Sequence, residues 1–203
     1  MWLPDHLAIT ARTLAEGVNR VETVLDVPMA PGGAHPLMGT HNRLLALGDL
    51  YLEVIAVDPA AQPPATARWF DMDDFDGEPR LTNWIARCEN ISQALTVAPS
   101  GTGVPLALSR GDLAWEMAVP TDGKLPFDGA FPALIRWQGA AHPVQRLPDR
   151  GCHLVRLEVS HPRADALAKA LAGCLDDPRV IFSQAAQKSL RALISTPSGE
   201  RWL

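Results

Sequence analysis

Apolar side chains recur along this chain with two different periods, and the periods predict its elements. Between Gly39 and Pro59 the spacing is two. Arg43 to Leu47 reads as one strand, Gly48 and Asp49 as a turn, and Tyr51 to Val57 as a second strand. In that second strand Leu52, Val54 and Ala56 share one face, and Tyr51, Glu53, Ile55 and Val57 share the other. Glu53 is the exception in an apolar run, and a buried carboxylate needs a partner, a metal or a proton. Leu3 to Thr10 shows the same period, with Leu7 and Ile9 opposite His6, Ala8 and Thr10. Ala11 to Leu25 then switches to helical spacing at Leu14, Val18, Val21 and Val24/Leu25, with Thr13 and Glu16 as a capping box. A short edge strand around Pro28 to Ala30 completes a βαβββ unit ending near Val57.

The order repeats. After a Pro/Ala linker, Asp58 to Ala67, the stretch Arg68 to Pro79 carries five carboxylates and reads as a solvated turn. Those carboxylates lack the spacing of a calcium loop. Leu81 to Cys88 is the next strand and Ile91 to Val97 a short helix. Val104 to Leu108, Asp112 to Val119 and Phe131 to Trp137 are strands. The tail reads as a strand from Cys152 to Val159 and a helix from His161-Pro162 to about Leu175. Strands at Val180 to Ser183 and Leu190 to Thr196 follow. The predicted fold class is α+β: paired βαβββ modules whose curled mixed sheets surround a cleft, plus a C-terminal β-α-β-β extension. The expected units are 1–58, a linker 59–80, 81–147 and 148–203.

Composition narrows the function. In 203 residues, 47% hydrophobic content is enough for a real core. The formal net charge of −5, with no Lys/Arg run, argues against a nucleic-acid partner. No apolar run reaches the length of a membrane span, and MWLPDHLAIT lacks the features of a secretory leader. Cys88, Cys152 and Cys174 are sparse and widely spaced, the pattern of reduced thiols, so a cytoplasmic location is expected. No Ser-His-Asp or Cys-His signature is present.

Several motifs in fixed order resemble the glyoxalase-like branch of the vicinal oxygen chelate superfamily. They are Leu3-Pro4-Asp5-His6-Leu7, Pro31-Gly32-Gly33-Ala34-His35-Pro36, Gly39-Thr40-His41-Asn42 and Tyr51-Leu52-Glu53-Val54-Ile55-Ala56. Ile135-Arg136-Trp137 followed by His142-Pro143 continues the likeness. The resemblance implies two modules curling around a ligand cleft. In metal-using relatives a histidine on the first strand and a glutamate on the last strand of a module bind the ion. His6 and Glu53 occupy those two places, and the ion would be divalent: Zn, Mn, Fe or Ni. The second half departs from the pattern, with Asn83 or Trp84 where a histidine is wanted and Arg136 where a carboxylate is wanted. His35, His41 and His142 are the histidines left to complete a set.

The candidate site therefore has Glu53 as catalytic base or metal ligand and His6 as metal or substrate ligand. His41 and Asn42 stand at the hairpin start. Trp84 and Trp137, with Trp115, are candidate apolar walls, and Arg110 and Arg136 are candidate holders of a ligand carboxylate. Three functions compete: a metal-free small-molecule binding protein, a divalent-metal lyase, isomerase or dioxygenase acting on an oxygen-rich substrate, and a structural dimer partner with no ligand. Open sheet edges also predict a homodimer, unless the tail covers them.

Overall fold

Alternation and helical spacing build the first module as β1 (Leu3–Thr10), α1 (Leu14–Leu25), β2 (Ala30–His35), β3 (Thr40–Ala46) and β4 (Tyr51–Val57). The computed structural model describes all 203 residues. The second module follows as β5 (Arg80–Arg87), α2 (Ile91–Val97), β6 (Val104–Arg110), β7 (Leu113–Val119) and β8 (Ala133–Trp137). The tail is β9 (His153–His161), α3 (Ala164–Leu171), β10 (Val180–Gln184), β11 (Ser189–Thr196) and β12 (Gly199–Trp202). The fold is mixed α+β, as expected from the pattern.

The eight module strands form one curled sheet, ordered β2-β3-β4-β1-β5-β8-β7-β6. In each module the first strand pairs parallel with the last: β1 with β4 and β5 with β8. β1 and β5 pair antiparallel and join the halves. The sheet is thus a half-barrel with the same strand order on either side of that seam. The tail makes a second sheet, β10-β9-β11-β12. It packs on the outer side of the half-barrel, where Leu7, Ile9, Leu52, Val54, Trp84, Leu157, Val159 and Leu190 share one core. A smaller cluster with Ala8, Ile55, Ile85, Met117 and Ile135 lies inside the curl.

Helix α1 begins where Thr13 Oγ1 accepts the Glu16 N–H at 3.2 Å, and it ends at Asp26 in the left-handed conformation. Its Gly17 lies against β4, where an added Cβ would come 2.4 Å from Val54 Cγ1 and 2.8 Å from Ala11 Cβ. Gly17→Ala should therefore destabilise the protein by about 1–3 kcal/mol through overpacking, although alanine is the better helix former by ~1 kcal/mol. A urea midpoint equal to or above wild type would show that α1 can move off the sheet.

Three expectations need correction. The edge strand is Ala30–His35, not Pro28 to Ala30, because the pairing with β3 slips between Pro31 and Ala34 and leaves Gly32 and Gly33 as a bulge. A Cβ on Gly32 would lie 2.3 Å from the Asn42 carbonyl oxygen, so the bulge needs glycine there. The acidic stretch after the linker is not simply a solvated turn: Trp69, Phe70 and Met72 are buried in a 3-10 segment, Trp69–Asp74. The tail also has one strand more than expected, β12, too short and polar to show a period.

Candidate functional site

Strand alternation carries a set of polar side chains into the curl. β1 contributes His6, β3 contributes Asn42 and β4 contributes Tyr51 and Glu53. His35 comes from the end of β2 and Arg110 from the end of β6. The facing wall is apolar: Trp115 and Met117 from β7, Ile135 and Trp137 from β8. Trp69 and Phe70 close the roof around a cavity of about 30 Å³.

Glu53 is 5% exposed, as is His6. The Asn42 amide donates to Glu53 Oε1, and His6 Nε2 lies 3.6 Å from Glu53 Oε2. His6 Nδ1 is 2.6 Å from Asp5 Oδ1, and the His6 ring stacks on Tyr51 with centroids 4.5 Å apart. Asp5 is fully buried, and its other oxygen accepts from Trp137 Nε1 at 3.0 Å and meets His142 Nε2 at 3.0 Å. Burial would raise the Asp5 pKa, but the hydrogen bonds from His142 and His6 overcome it and hold the carboxyl well below the usual range. Asp5 joins the site through a bulge, since the pairing with β5 slips between Pro4 and His6. The result is a chain of three groups, Asp5, His6 and Glu53.

The other side of the site is fixed by Asn42. Its Oδ1 accepts the Gly33 N–H at 2.8 Å and Arg110 Nη1 at 3.1 Å. Its Nδ2 and Arg110 Nη1 each lie 3.4 Å from His35 Nε2. Both neighbours are donors, so His35 Nε2 keeps its lone pair and Nδ1–H donates to Thr40 Oγ1 at 3.0 Å. Burial pushes the His35 pKa down to about 4, with Arg110 adding to the drop and Glu53 opposing it. The same burial, with the charges of Asp5 and Glu53, raises the Tyr51 pKa and keeps its hydroxyl neutral.

His35 makes folding pH-dependent. Unfolded, it titrates near 6.5. Between the unfolded value and about 4 the unfolded chain binds more protons, so stability rises with pH. The contribution is complete above the unfolded value and falls by about 2–3 kcal/mol as pH drops through the folded one. His35→Gln should flatten the urea midpoint over that window. A wild-type midpoint unchanged across it would contradict a neutral buried imidazole.

Four of the candidate residues therefore meet in one cavity with Trp137: His6, Asn42, Glu53 and Arg110. Three others lie elsewhere. His41 is on the opposite face of β3, near Arg12 and Arg43 beside α1. Trp84 is fully buried in the outer core, its Nε1 donating to the Ala130 carbonyl at 2.9 Å. Arg136 points away from the cleft, pairing with Glu116 at 2.9 Å and donating to the Glu89 carbonyl at 3.0 Å. Adjacent strand residues face opposite ways, so Arg136 cannot join Trp137 nor His41 join Asn42. Of the spare histidines, His35 lines the cavity and His142 stands behind Asp5. Asp5, Tyr51, Trp69, Phe70 and Met117 were not singled out from the sequence. Alternation alone could have found Tyr51, which shares the Glu53 face.

Paired βαβββ modules curled around a buried His/Glu cleft define a glyoxalase-type fold. A family model described as "Glyoxalase-like domain" matches residues 5–175, and the chain belongs to that family, within the vicinal oxygen chelate superfamily. No curated protein matches the sequence. Among solved structures, a hypothetical protein from Staphylococcus aureus aligns over 93% of this chain and 88% of its own, with 12% identity and a TM-score of 0.68. Methylmalonyl-CoA epimerase from Mycobacterium tuberculosis aligns over 68% of this chain and 88% of its own, with 14% identity and a TM-score of 0.44. A Streptomyces coelicolor methylmalonyl-CoA epimerase variant in complex with 2-nitronate-propionyl-CoA aligns over 68% and 97%, with 12% identity and a TM-score of 0.43.

The family resemblance implies a divalent metal, for which His6 and Glu53 would be the donors. A 3.6 Å separation of His6 Nε2 and Glu53 Oε2 is close to one edge of a zinc tetrahedron with bonds of roughly 2.0–2.2 Å. The set stops there. His35 lines the same cavity, but its Nε2 faces Asn42 Nδ2 and Arg110 Nη1. The second module brings only Trp115, Met117, Ile135 and Trp137 to the facing wall, and no three His, Cys, Asp or Glu side chains are grouped so as to hold an ion. Arg110 adds a positive charge beside them. Catalytic sites use about three protein ligands, and these residues do not fit one.

Proposed function

We propose that the cleft is the binding site of a small organic anion with an apolar body, held without a metal. Arg110 carries this reading. Glu53 and Asp5 have hydrogen-bonding partners inside the fold, whereas the Arg110 guanidinium reaches only the neutral Asn42 and His35. A free cation in a half-closed cleft suits a ligand carboxylate or enolate oxygen. Trp115 and Trp137, tilted at 45° with centroids 5.4 Å apart, offer the apolar wall. The Trp69 indole N–H is buried with no acceptor, and a ligand oxygen would supply one.

A cavity of about 30 Å³ holds only about one or two waters, so a ligand must displace part of a wall. Trp69–Asp74 is the part outside the sheet. Phe70 and Asp71 there have φ of 62° and 56°, left-handed values that cost side-chain-bearing residues about 1–3 kcal/mol each. Release of that strain would help the segment open.

The Asp5-His6-Glu53 chain favours a second reading, proton-transfer catalysis. Asp5 fixes His6 with Nδ1–H donated inward, which leaves Nε2 facing Glu53. Glu53 could then take a proton from a ligand carbon while Arg110 holds the developing oxyanion. A metal-dependent lyase, isomerase or dioxygenase remains the family alternative, but it needs ligands beyond His6 and Glu53.

A thermal-shift screen of small carboxylates, dicarbonyls and catechols, with and without divalent metal, tests the binding reading. A binder is expected without metal, and it should lose its shift in Arg110→Ala. Binders that appear only with metal would favour the family alternative. Incubating a binder in D2O separates the readings further: loss of a carbon-bound proton signal in wild type but not Glu53→Gln marks catalysis.

A further inference from the structure

A larger cavity, of about 630 Å³, lies on the far side of Phe70, between the half-barrel and the tail sheet. Lys188, the residue before β11, reaches across and donates to the Thr82 carbonyl at 2.6 Å. Asn83, 3% exposed on β5, lines the same cavity, and no protein group hydrogen-bonds its carboxamide. Both nitrogens converge on Gly129: a Cβ built there would lie 3.0 Å from Asn83 Nδ2 and 3.3 Å from Lys188 Nζ. Two donors thus approach the space above Gly129, beside the Thr82 carbonyl that Lys188 engages, and the Asn83 amide has no protein acceptor there.

The charges around that space are unevenly matched. Lys124 engages Asp74 at 2.7 Å and Asp71 at 3.4 Å. Asp128 pairs with His161 at 3.1 Å. Neither Lys188 nor Arg80 has a carboxylate partner. Arg80 is held by the Asp76 and Glu78 carbonyls at 2.8 and 3.2 Å, with its guanidinium 4.4 Å from the centre of the Phe75 ring. Two oriented cations and a free amide on one wall make a site for an oxyanion.

We propose that this cavity is a second ligand site, taking a small carboxylate or phosphate monoester with one oxygen in the Lys188–Asn83 cradle over Gly129 and Arg80 as the second cation. The cavity has the size of a metabolite site. It shares only the Phe70 side chain with the cleft and uses neither Glu53 nor Arg110. Two left-handed pairs, Phe70-Asp71 and Phe127-Asp128, lie on its walls or border them. Burial, with Arg80 adding to it and Asp128 and Asp71 opposing, pushes the Lys188 pKa down to about 8. A bound anion would restore the charge, so binding should weaken as pH rises past that value.

Titration calorimetry at constant ionic strength with succinate and, separately, inorganic phosphate tests the site. One of the two should bind saturably, and which one does identifies the head group. Lys188→Met and Asn83→Asp should each weaken it at least tenfold, and Arg110→Ala should leave it unchanged. Succinate, if it is the binder, should bind about tenfold more weakly at pH 9 than at pH 7, following Lys188 deprotonation. Asn83→Asp keeps the side-chain volume and decides the matter if Lys188→Met does not fold. No saturable binding of either anion to wild type, equal affinity in the folded variants, or loss in Arg110→Ala would overturn the proposal.

Discussion

Asp5→Ala is expected to cost about 3–5 kcal/mol of folding free energy, the range for removing one partner from a buried charged network. The carboxylate is fully buried and serves His6 at 2.6 Å, Trp137 and His142 at 3.0 Å, and Arg87 at 3.8 Å. Alanine leaves those N–H groups without an acceptor and opens a void between the modules. The effect is large because Asp5 on β1 ties together a strand of the first module and side chains from β8 and the loop beyond it. Asp5→Asn keeps the volume and one acceptor but turns an NH2 toward other donors, so a smaller loss, about 1–3 kcal/mol, is expected. Urea titration checks both. A loss in Asp5→Ala below about 1 kcal/mol would mean that water satisfies the site.

Arg110→Ala should weaken the cleft's anionic binder by at least thirtyfold, since losing a desolvated charged partner typically costs about 2–5 kcal/mol. Stability should change by less than about 1 kcal/mol, because Arg110 is only partly buried and has no ion-pair partner to strand. Asn42 Oδ1 still accepts the Gly33 N–H, so Glu53 stays in place. The split between binding and stability is the signature of a ligand contact. Calorimetric titration and a urea curve on the same variant measure it. Equal affinity, or a binding loss that only follows unfolding, would remove Arg110 from the site.

Much of the fold was legible because alternation is strict. The strand Tyr51–Val57 and the helix Ile91–Val97 have the bounds that their patterns predict, and Glu53 faces His6 as its strand face requires. Site residues were harder wherever the period breaks. Asp5 should point away from His6, and only the bulge after Pro4 turns it inward. Alternation could have separated Asn42 from His41, Trp137 from Arg136 and Asn83 from Trp84, since each pair is adjacent on a strand. Residue type alone makes both members of the first two pairs candidates, and in the third it favours Trp84 over Asn83. Trp69 and Phe70 sit among prolines and aspartates, and their burial depends on a sheet formed by distant residues. Arg110 was legible as a candidate carboxylate holder, but its place beside His35 and Asn42 was not. The curl that brings it to β2, where a Cβ on Gly33 would lie 2.6 Å from Arg110 Cδ, is a property of the whole sheet.

Six tryptophans make the binding reading directly testable. Trp69, Trp115 and Trp137 line the cleft, whereas Trp2, Trp84 and Trp202 do not. Nitrogen-15 labelled protein gives one indole N–H signal for each, assignable by substitution. Titration with the strongest anionic binder from the screen should move the signals of Trp69, Trp115 and Trp137. Trp69 should move most, because its N–H gains an acceptor, and those of Trp2, Trp84 and Trp202 should stay fixed. Saturable binding that leaves all three cleft signals in place would put the ligand elsewhere and contradict the assignment of this cleft.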